Sequence, residues 1–169
     1  PGKTFNLAGL QIGYAIAANT QHRAAFQAAA ARVKIDELNL FALVALEAAY
    51  SDEGKAWRDA LCQQLLVNID RLQACLATAC PKLRLMRPQA SYLVWLDFNP
   101  LIPERFEDHT ALQAWLINEA RLGLNSGLSY GEAGRGFMRI NLAVSAETLD
   151  QACNQLQQAF NQKEFDHDD

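Results

Sequence analysis

KTFNLAGL occupies residues 3–10, and YGEAGRGFMRINLA occupies residues 130–143 near the other end of the chain. In the second stretch a glycine-rich loop leads into an alternating strand, whose period of two places Arg139 on the same face as Phe137 and Asn141. By residue type alone, Lys3 is a solvated side chain and Arg139 a structural ion-pair partner at a strand. The motifs around them make both residues candidates for function.

The composition and net charge of the chain exclude some classes of function. Half of the 169 residues are hydrophobic and a fifth are charged, which is typical of a folded water-soluble protein. The net charge of −4 argues against a nucleic-acid or anionic-membrane surface, because such surfaces need clustered Lys and Arg. The sequence shows no signal peptide and no apolar stretch long enough to span a bilayer. A cytoplasmic protein without a nucleic-acid or membrane partner is expected.

The cysteines and histidines suggest neither a metal site nor a triad. The cysteines are Cys62, Cys75, Cys80 and Cys153. They include no Cys-x-x-Cys pair and have no histidine at ligand spacing, so buried free thiols are expected and no metal site is predicted. His22, His109 and His167 are isolated, without a Ser, Cys or carboxylate at a recognisable spacing, and a hydrolase triad is not supported.

The hydrophobic pattern predicts an α/β chain. A buried strand is expected over residues 10–17, followed by helices over 20–32, 39–50 and 55–79. In the second helix an apolar face is formed by Leu40, Leu43, Val44 and Ala48. Residues 51–54 interrupt the helical run, and Pro81 ends the longest helix.

The second half of the chain alternates strands and helices. Leu83 and Leu85 are candidates for a short strand, and stronger strands are predicted at 90–98 and 137–144. A helix at 108–121 lies between them, and Ser145 caps a final helix that ends near Phe160. The glycines of residues 123–136 let a loop turn tightly. The acidic tail, residues 164–169, is expected to fray.

The two quoted stretches resemble motifs of the class I/II pyridoxal-phosphate-dependent aminotransferase family. KTFNLAGL resembles the segment of the Schiff-base lysine, and YGEAGRGFMRIN resembles the glycine-rich motif whose arginine holds the substrate α-carboxylate. Gln11 stands where many aminotransferases carry a phosphate-binding arginine, as is usual in the cystathionine β-lyase-like (MalY/PatB) branch. The resemblance extends from Lys3 to about Phe160 and favours that branch.

The resemblance implies the C-terminal portion of a pyridoxal-phosphate-dependent transferase of fold type I. Residues 1–53 would end the large cofactor-binding domain, and residues 54–169 would form the α+β small domain. Lys3 would be the catalytic, cofactor-binding lysine for pyridoxal 5'-phosphate, and Arg139 would bind the substrate α-carboxylate. The implied enzyme is a homodimer that cleaves the Cβ–S bond of cystathionine or a cysteine-like amino acid. A related aminotransferase is the competing activity.

A rival hypothesis is a truncated, non-catalytic fragment. About the first half of such an enzyme would be absent, including the acidic partner of the pyridine nitrogen, the aromatic residue that stacks on the ring, and most phosphate contacts. A lysine alone cannot preorganise the cofactor. The isolated chain is therefore expected to bind the cofactor weakly and to be inactive. Tyr92 and Trp95 also match the family and are expected in the core or in a pocket wall.

Overall fold

The computed structural model describes residues 1–162, so the predicted acidic tail lies outside the described residues. The chain divides into two compact units, Pro1–Cys62 and Gln63–Asp169. The predicted domain boundary at residue 53 remains a prediction. No helix within residues 1–162 has the length and apolar character needed to cross a bilayer.

The first unit contains the two predicted short helices, α1 (Thr20–Arg32) and α2 (Leu40–Ala49). Asn19 caps α1, because its side chain accepts hydrogen bonds from the backbone N–H groups of residues 21 and 22 at 2.8 and 3.1 Å. Asn39 caps α2 in the same way. The predicted apolar face of α2 is exposed in this structure, with Leu40 at 70% and Val44 at 58%.

Residues 10–17 do not form the predicted buried strand. After a 3₁₀ turn at Ala8–Leu10, Gln11 adopts a left-handed conformation (φ 51°), and the following residues are irregular. Tyr14 and Ile16 are 56% and 89% exposed. A strand requires hydrogen bonds from a neighbour, and no segment of residues 1–62 pairs with this one. The prediction was wrong because apolar composition does not supply a partner strand.

Helix α3 (Asp52–Ala79) begins three residues earlier than predicted. Gly54 lies inside its first turn, where Ser51 Oγ accepts the Gly54 N–H at 3.1 Å. A Cβ atom on Gly54 would collide with the carbonyl oxygens of Ala48 and Ala49, so glycine is required for the tight passage from α2 to α3. As predicted, the helix ends before Pro81.

The second unit is built on a four-stranded antiparallel sheet. The strands are β1 (Arg84–Met86), β2 (Leu93–Asp97), β3 (Asn125–Ser126) and β4 (Phe137–Asn141), in the order β1-β2-β4-β3. Helices α4 (His109–Asn118) and α5 (Ala146–Gln162) complete the unit, and Ser145 caps α5 by accepting the Thr148 N–H at 3.3 Å. The predicted strands and helices of this half occur in the predicted order, and the structure adds the short strand β3 within residues 123–136, which were predicted as a loop.

The core of the second unit joins one face of the sheet to the helices. Its most deeply buried side chains are Leu72, Val94, Leu96, Phe98, Leu112, Leu116, Met138, Leu142, Leu149 and Leu156. On β4, Met138 and Ile140 are buried while Phe137 and Arg139 are half-buried, as the predicted alternation requires. The sheet therefore turns Arg139 away from the core.

Cys75, Cys80 and Cys153 are buried free thiols, whereas Cys62 is exposed, contrary to expectation.

A buried amide fixes the chain where it leaves β4. Asn68, on α3, is only 1% exposed, and its Nδ2 donates to the carbonyl oxygens of Leu142 and Val144 at 2.9 and 3.1 Å. Asn68→Ala leaves both carbonyls without this donor and is expected to lower the free energy of unfolding by about 1–3 kcal/mol. Urea unfolding followed by circular dichroism measures this.

The matched control is Gln64→Ala. Gln64 is exposed and only donates to Asn68 Oδ1 at 3.0 Å. Its removal is expected to cost less than about 1 kcal/mol. Equal losses for the two variants would contradict the role given to Asn68.

Candidate active site

Arg139 sits at the centre of β4, between two neighbouring strands. Its Cα partners are Trp95 on β2 and Asn125 on β3. Hydrogen bonding on both sides holds its backbone in place, and the pleat sends its side chain to the face opposite Met138 and Ile140. The sequence predicted this face correctly.

The guanidinium group of Arg139 is held by neutral groups. Its Nη2 donates to Asn125 Oδ1 at 3.1 Å, and its Cζ lies 4.9 Å from the centroid of the Tyr130 ring. Tyr130 in turn meets the half-buried Trp95 edge-on, with the ring centroids 5.4 Å apart. Both contacts orient a cation without neutralising its charge.

Arg139 keeps an unused donor. Its Nε is buried and has no hydrogen-bond partner among residues 1–162, and no acidic side chain in that range forms an ion pair with the guanidinium. A buried donor without an acceptor is costly. The interpretation of Arg139 as a structural ion-pair partner is therefore not supported, and the group is suited to a planar anion such as a carboxylate.

Residues 125–136, here called the glycine loop, supply the two groups that orient Arg139. The loop contains two 3₁₀ turns, Gly127–Tyr130 and Glu132–Gly134. The backbones of Gly127 and Gly134 approach so closely that a Cβ atom on either would collide with the carbonyl oxygen of the other. The glycines therefore permit a tight turn, as predicted.

His109 connects the two ends of the glycine loop, and the sequence analysis missed it. It is the first residue of α4 and is 2% exposed. Its Nδ1 accepts the Gly136 N–H at 2.9 Å, and its Nε2 lies 2.7 Å from Ser126 Oγ. The prediction that His109 is isolated was wrong, because its partners are 17 and 27 positions away and no local spacing reveals them.

Lys3 lies in the first unit, in a turn where the Phe5 N–H donates to the Pro1 carbonyl at 2.9 Å. The Lys3 side chain is exposed. The turn is anchored by Phe5, whose ring centroid lies 5.5 Å from that of Tyr50 and 6.0 Å from that of Trp57. The lysine is therefore presented to solvent from a segment fixed by aromatic contacts.

The chemistry of the two cations suits a cofactor aldehyde and a substrate anion. The exposed primary amine of Lys3 can bond an aldehyde carbon, and the guanidinium of Arg139, which forms no ion pair within residues 1–162, can donate hydrogen bonds to a carboxylate. Within residues 1–162, no group of three or more His, Cys, Asp or Glu side chains is arranged to hold a metal ion.

Known proteins match the chain over almost its whole length. Residues 1–156 match the family model for aminotransferase class I and II. Cystathionine β-lyase PatB of Bacillus subtilis (strain 168) is 39% identical over 160 residues, which are 95% of this chain and 40% of PatB. Protein MalY of Escherichia coli (strain K12) is 36% identical over 149 residues, which are 88% of this chain and 37% of MalY.

A solved structure extends the match to three dimensions. Cystalysin from Treponema denticola, whose crystal structure contains a pyridoxal 5'-phosphate cofactor, superposes with a TM-score of 0.84 at 27% identity, over 96% of this chain and 40% of cystalysin. The present chain thus spans about 40% of the length of these relatives and has a mixed α/β structure that aligns with that share of fold type I enzymes.

Proposed function

Because the chain belongs to the aminotransferase class I and II family, we propose that it forms the C-terminal part of a pyridoxal-phosphate-dependent C–S β-lyase. The proposed substrate is cystathionine or a cysteine-like amino acid. The chain is homologous to C–S lyases of the cystathionine β-lyase type. The observation that carries the proposal is the guanidinium of Arg139, which has no acidic partner within residues 1–162 and is held by Asn125 and Tyr130.

Arg139 is proposed to bind the α-carboxylate of the substrate. The Nε–H and a terminal N–H of a guanidinium form a planar fork that matches two carboxylate oxygens. Asn125 and Tyr130 restrict the rotation of that fork. Fixing the carboxylate would fix the orientation of the neighbouring Cα–H and Cβ–S bonds.

Lys3 is proposed to hold the cofactor through its amine, to be released when the substrate amine takes its place, and then to accept the Cα proton at Nζ. Pyridoxal phosphate, when bound, supplies an electron sink for the pair left on Cα. Loss of the Cα proton and cleavage of the Cβ–S bond release a thiol. With the addition of one water, the remainder of the substrate becomes pyruvate and ammonia.

The proposal includes a domain arrangement and an assembly. Residues 1–53 would belong to the large cofactor-binding domain and residues 54–169 to the small domain of a homodimer. The alternative is that the polypeptide of 169 residues has no activity by itself, since it spans about 40% of the length of its relatives.

A hybrid enzyme tests the proposed reaction. In it the present chain replaces the 160 aligned residues of PatB, and cystathionine is the substrate. Thiol is measured with a thiol reagent, and pyruvate is measured with lactate dehydrogenase. We expect thiol and pyruvate in equal amounts.

Transamination, assayed with an added 2-oxo acid that accepts the amino group, would instead give a keto acid that retains sulfur, without free thiol. A folded hybrid that gives this product would support the aminotransferase over the lyase. The 169-residue chain is assayed alongside. Thiol release by that chain alone would contradict the non-catalytic alternative.

A further inference from the structure

His109 ties both ends of the glycine loop to the start of α4. Ser126 lies at the beginning of the loop and Gly136 at its end, and one imidazole ring bonds both. The Gly136 carbonyl accepts the Phe98 N–H at 2.9 Å, which joins the same point to the residue after β2. The loop is therefore closed by a buried side chain whose two hydrogen bonds go to Ser126 and Gly136 and not to Arg139.

The hydrogen bonds specify the protonation state of His109. The Gly136 N–H can only donate, so Nδ1 must be the acceptor and the ring proton must reside on Nε2. Nε2–H then donates to Ser126 Oγ, which also accepts the Leu128 N–H at 3.3 Å. A doubly protonated imidazole would direct an N–H at the Gly136 N–H and would break this closure.

We propose that His109 is a positioning residue that sets the carboxylate affinity of Arg139 and makes that affinity dependent on pH. The connection runs through the glycine loop, because Asn125 and Tyr130 belong to the loop that His109 closes and are also the groups that hold the guanidinium. The inference rests on the proposed carboxylate-binding role of Arg139.

Burial lowers the pKa of His109 below its ordinary value of 6.5, and the positive charge of Arg135 lowers it further. Asp108, just before α4, raises the pKa by a smaller amount. Arg135 is itself paired with Glu132 at 2.6 Å. Because the folded pKa is depressed, the closed loop is fully stabilised above pH 6.5. That stabilisation is lost as the pH falls through the folded pKa.

Nuclear magnetic resonance of the 169-residue chain tests the proposal. The Arg139 ¹⁵Nε–H signal is followed during addition of L-alanine, whose own charges do not change between about pH 5 and about pH 7.5. We expect the wild-type affinity for L-alanine to fall by about fivefold or more as lowering the pH protonates His109, the equivalent of one lost hydrogen bond.

Two substitutions at His109 distinguish an effect on the affinity of Arg139 from an effect on the stability of the fold. His109→Phe fills the space of the imidazole without forming either hydrogen bond. It is expected to bind L-alanine about fivefold more weakly than the wild type at about pH 7.5, with no further loss at lower pH. His109→Asn retains an acceptor for the Gly136 N–H but does not titrate. It is expected to recover part of the affinity and to show no pH dependence. His22→Asn, at an exposed site on α1, is the control and should match the wild type.

The outcomes are distinct. Wild-type affinity in a folded His109→Phe chain, or an undiminished pH dependence in His109→Asn, would overturn the proposal. A wild-type Arg139 signal that does not respond to L-alanine would instead refute the carboxylate role of Arg139. In that case His109 is tested by the nuclear Overhauser effect between the Arg139 guanidinium and the Tyr130 ring, which must weaken in His109→Phe; an unchanged effect would overturn the proposal.

Discussion

Replacing Lys3 with alanine is expected to abolish lyase turnover in the hybrid enzyme, with kcat reduced on the order of 10⁴-fold or more. The proposed role of its amine is twofold, because Nζ both bonds the cofactor and accepts the Cα proton. No other lysine of the first unit lies in the KTFNLAGL motif. Release of thiol from cystathionine measures the effect.

Controls separate the amine from its charge. Lys3→Arg keeps a positive charge but cannot form the same bond, and it should be as inactive as Lys3→Ala. Lys55→Ala removes an exposed lysine of α3 and should leave kcat unchanged. Turnover by Lys3→Ala within a few fold of the unmodified hybrid would show that Lys3 is not the reacting amine.

Replacing Arg139 with alanine is expected to raise the KM of the hybrid for cystathionine by about 30-fold to 1,000-fold, the equivalent of about 2–4 kcal/mol. The substrate carboxylate would lose its positively charged partner, while Asn125 and Tyr130 offer no replacement charge. Initial rates over a range of substrate concentrations separate this effect on KM from any effect on kcat.

Two substitutions calibrate this prediction. Arg139→Lys keeps the charge and loses the planar fork, so an intermediate KM is expected. Arg87→Ala removes an exposed arginine whose ion pair with Asp70 spans 2.6 Å, and its KM should stay close to that of the unmodified hybrid. A KM for Arg139→Ala equal to that of Arg87→Ala would exclude the proposed contact with the carboxylate.

Sequence patterns correctly predicted the structural features that depend on interactions between residues close together in the chain. Ser145 was expected to cap a helix, and it does so. The alternation along β4 predicted which face carries Arg139. In each case the deciding interactions lie within a few residues, so a single sequence is sufficient.

The predictions failed where the deciding partner is distant or missing. Residues 10–17 have the composition of a buried strand but no neighbour to pair with in the first unit. Gly54 was expected to interrupt a helix, whereas a close approach to the carbonyl oxygens at the end of α2 makes glycine necessary there. Neither feature is encoded in periodicity.

At the candidate site, too, the sequence pointed to a residue within a motif and missed the residues that only the fold brings together. The motif identified Arg139, and the resemblance to the class I/II aminotransferase family and its cystathionine β-lyase-like branch is confirmed. Asn125 and Tyr130 were not identified, because only the β3–β4 register and the folding of the glycine loop bring them to the guanidinium. His109 was missed for the same reason.

Reductive trapping tests the assignment of Lys3 most directly. The hybrid enzyme is incubated with pyridoxal phosphate, reduced with borohydride, and analysed by intact mass and peptide mapping. One pyridoxyl group per chain, attached at Lys3 and absent from Lys3→Ala, is the predicted result. A folded hybrid that carries no label at Lys3, or carries it scattered over several lysines, would contradict the assignment of Lys3 as the cofactor-binding residue.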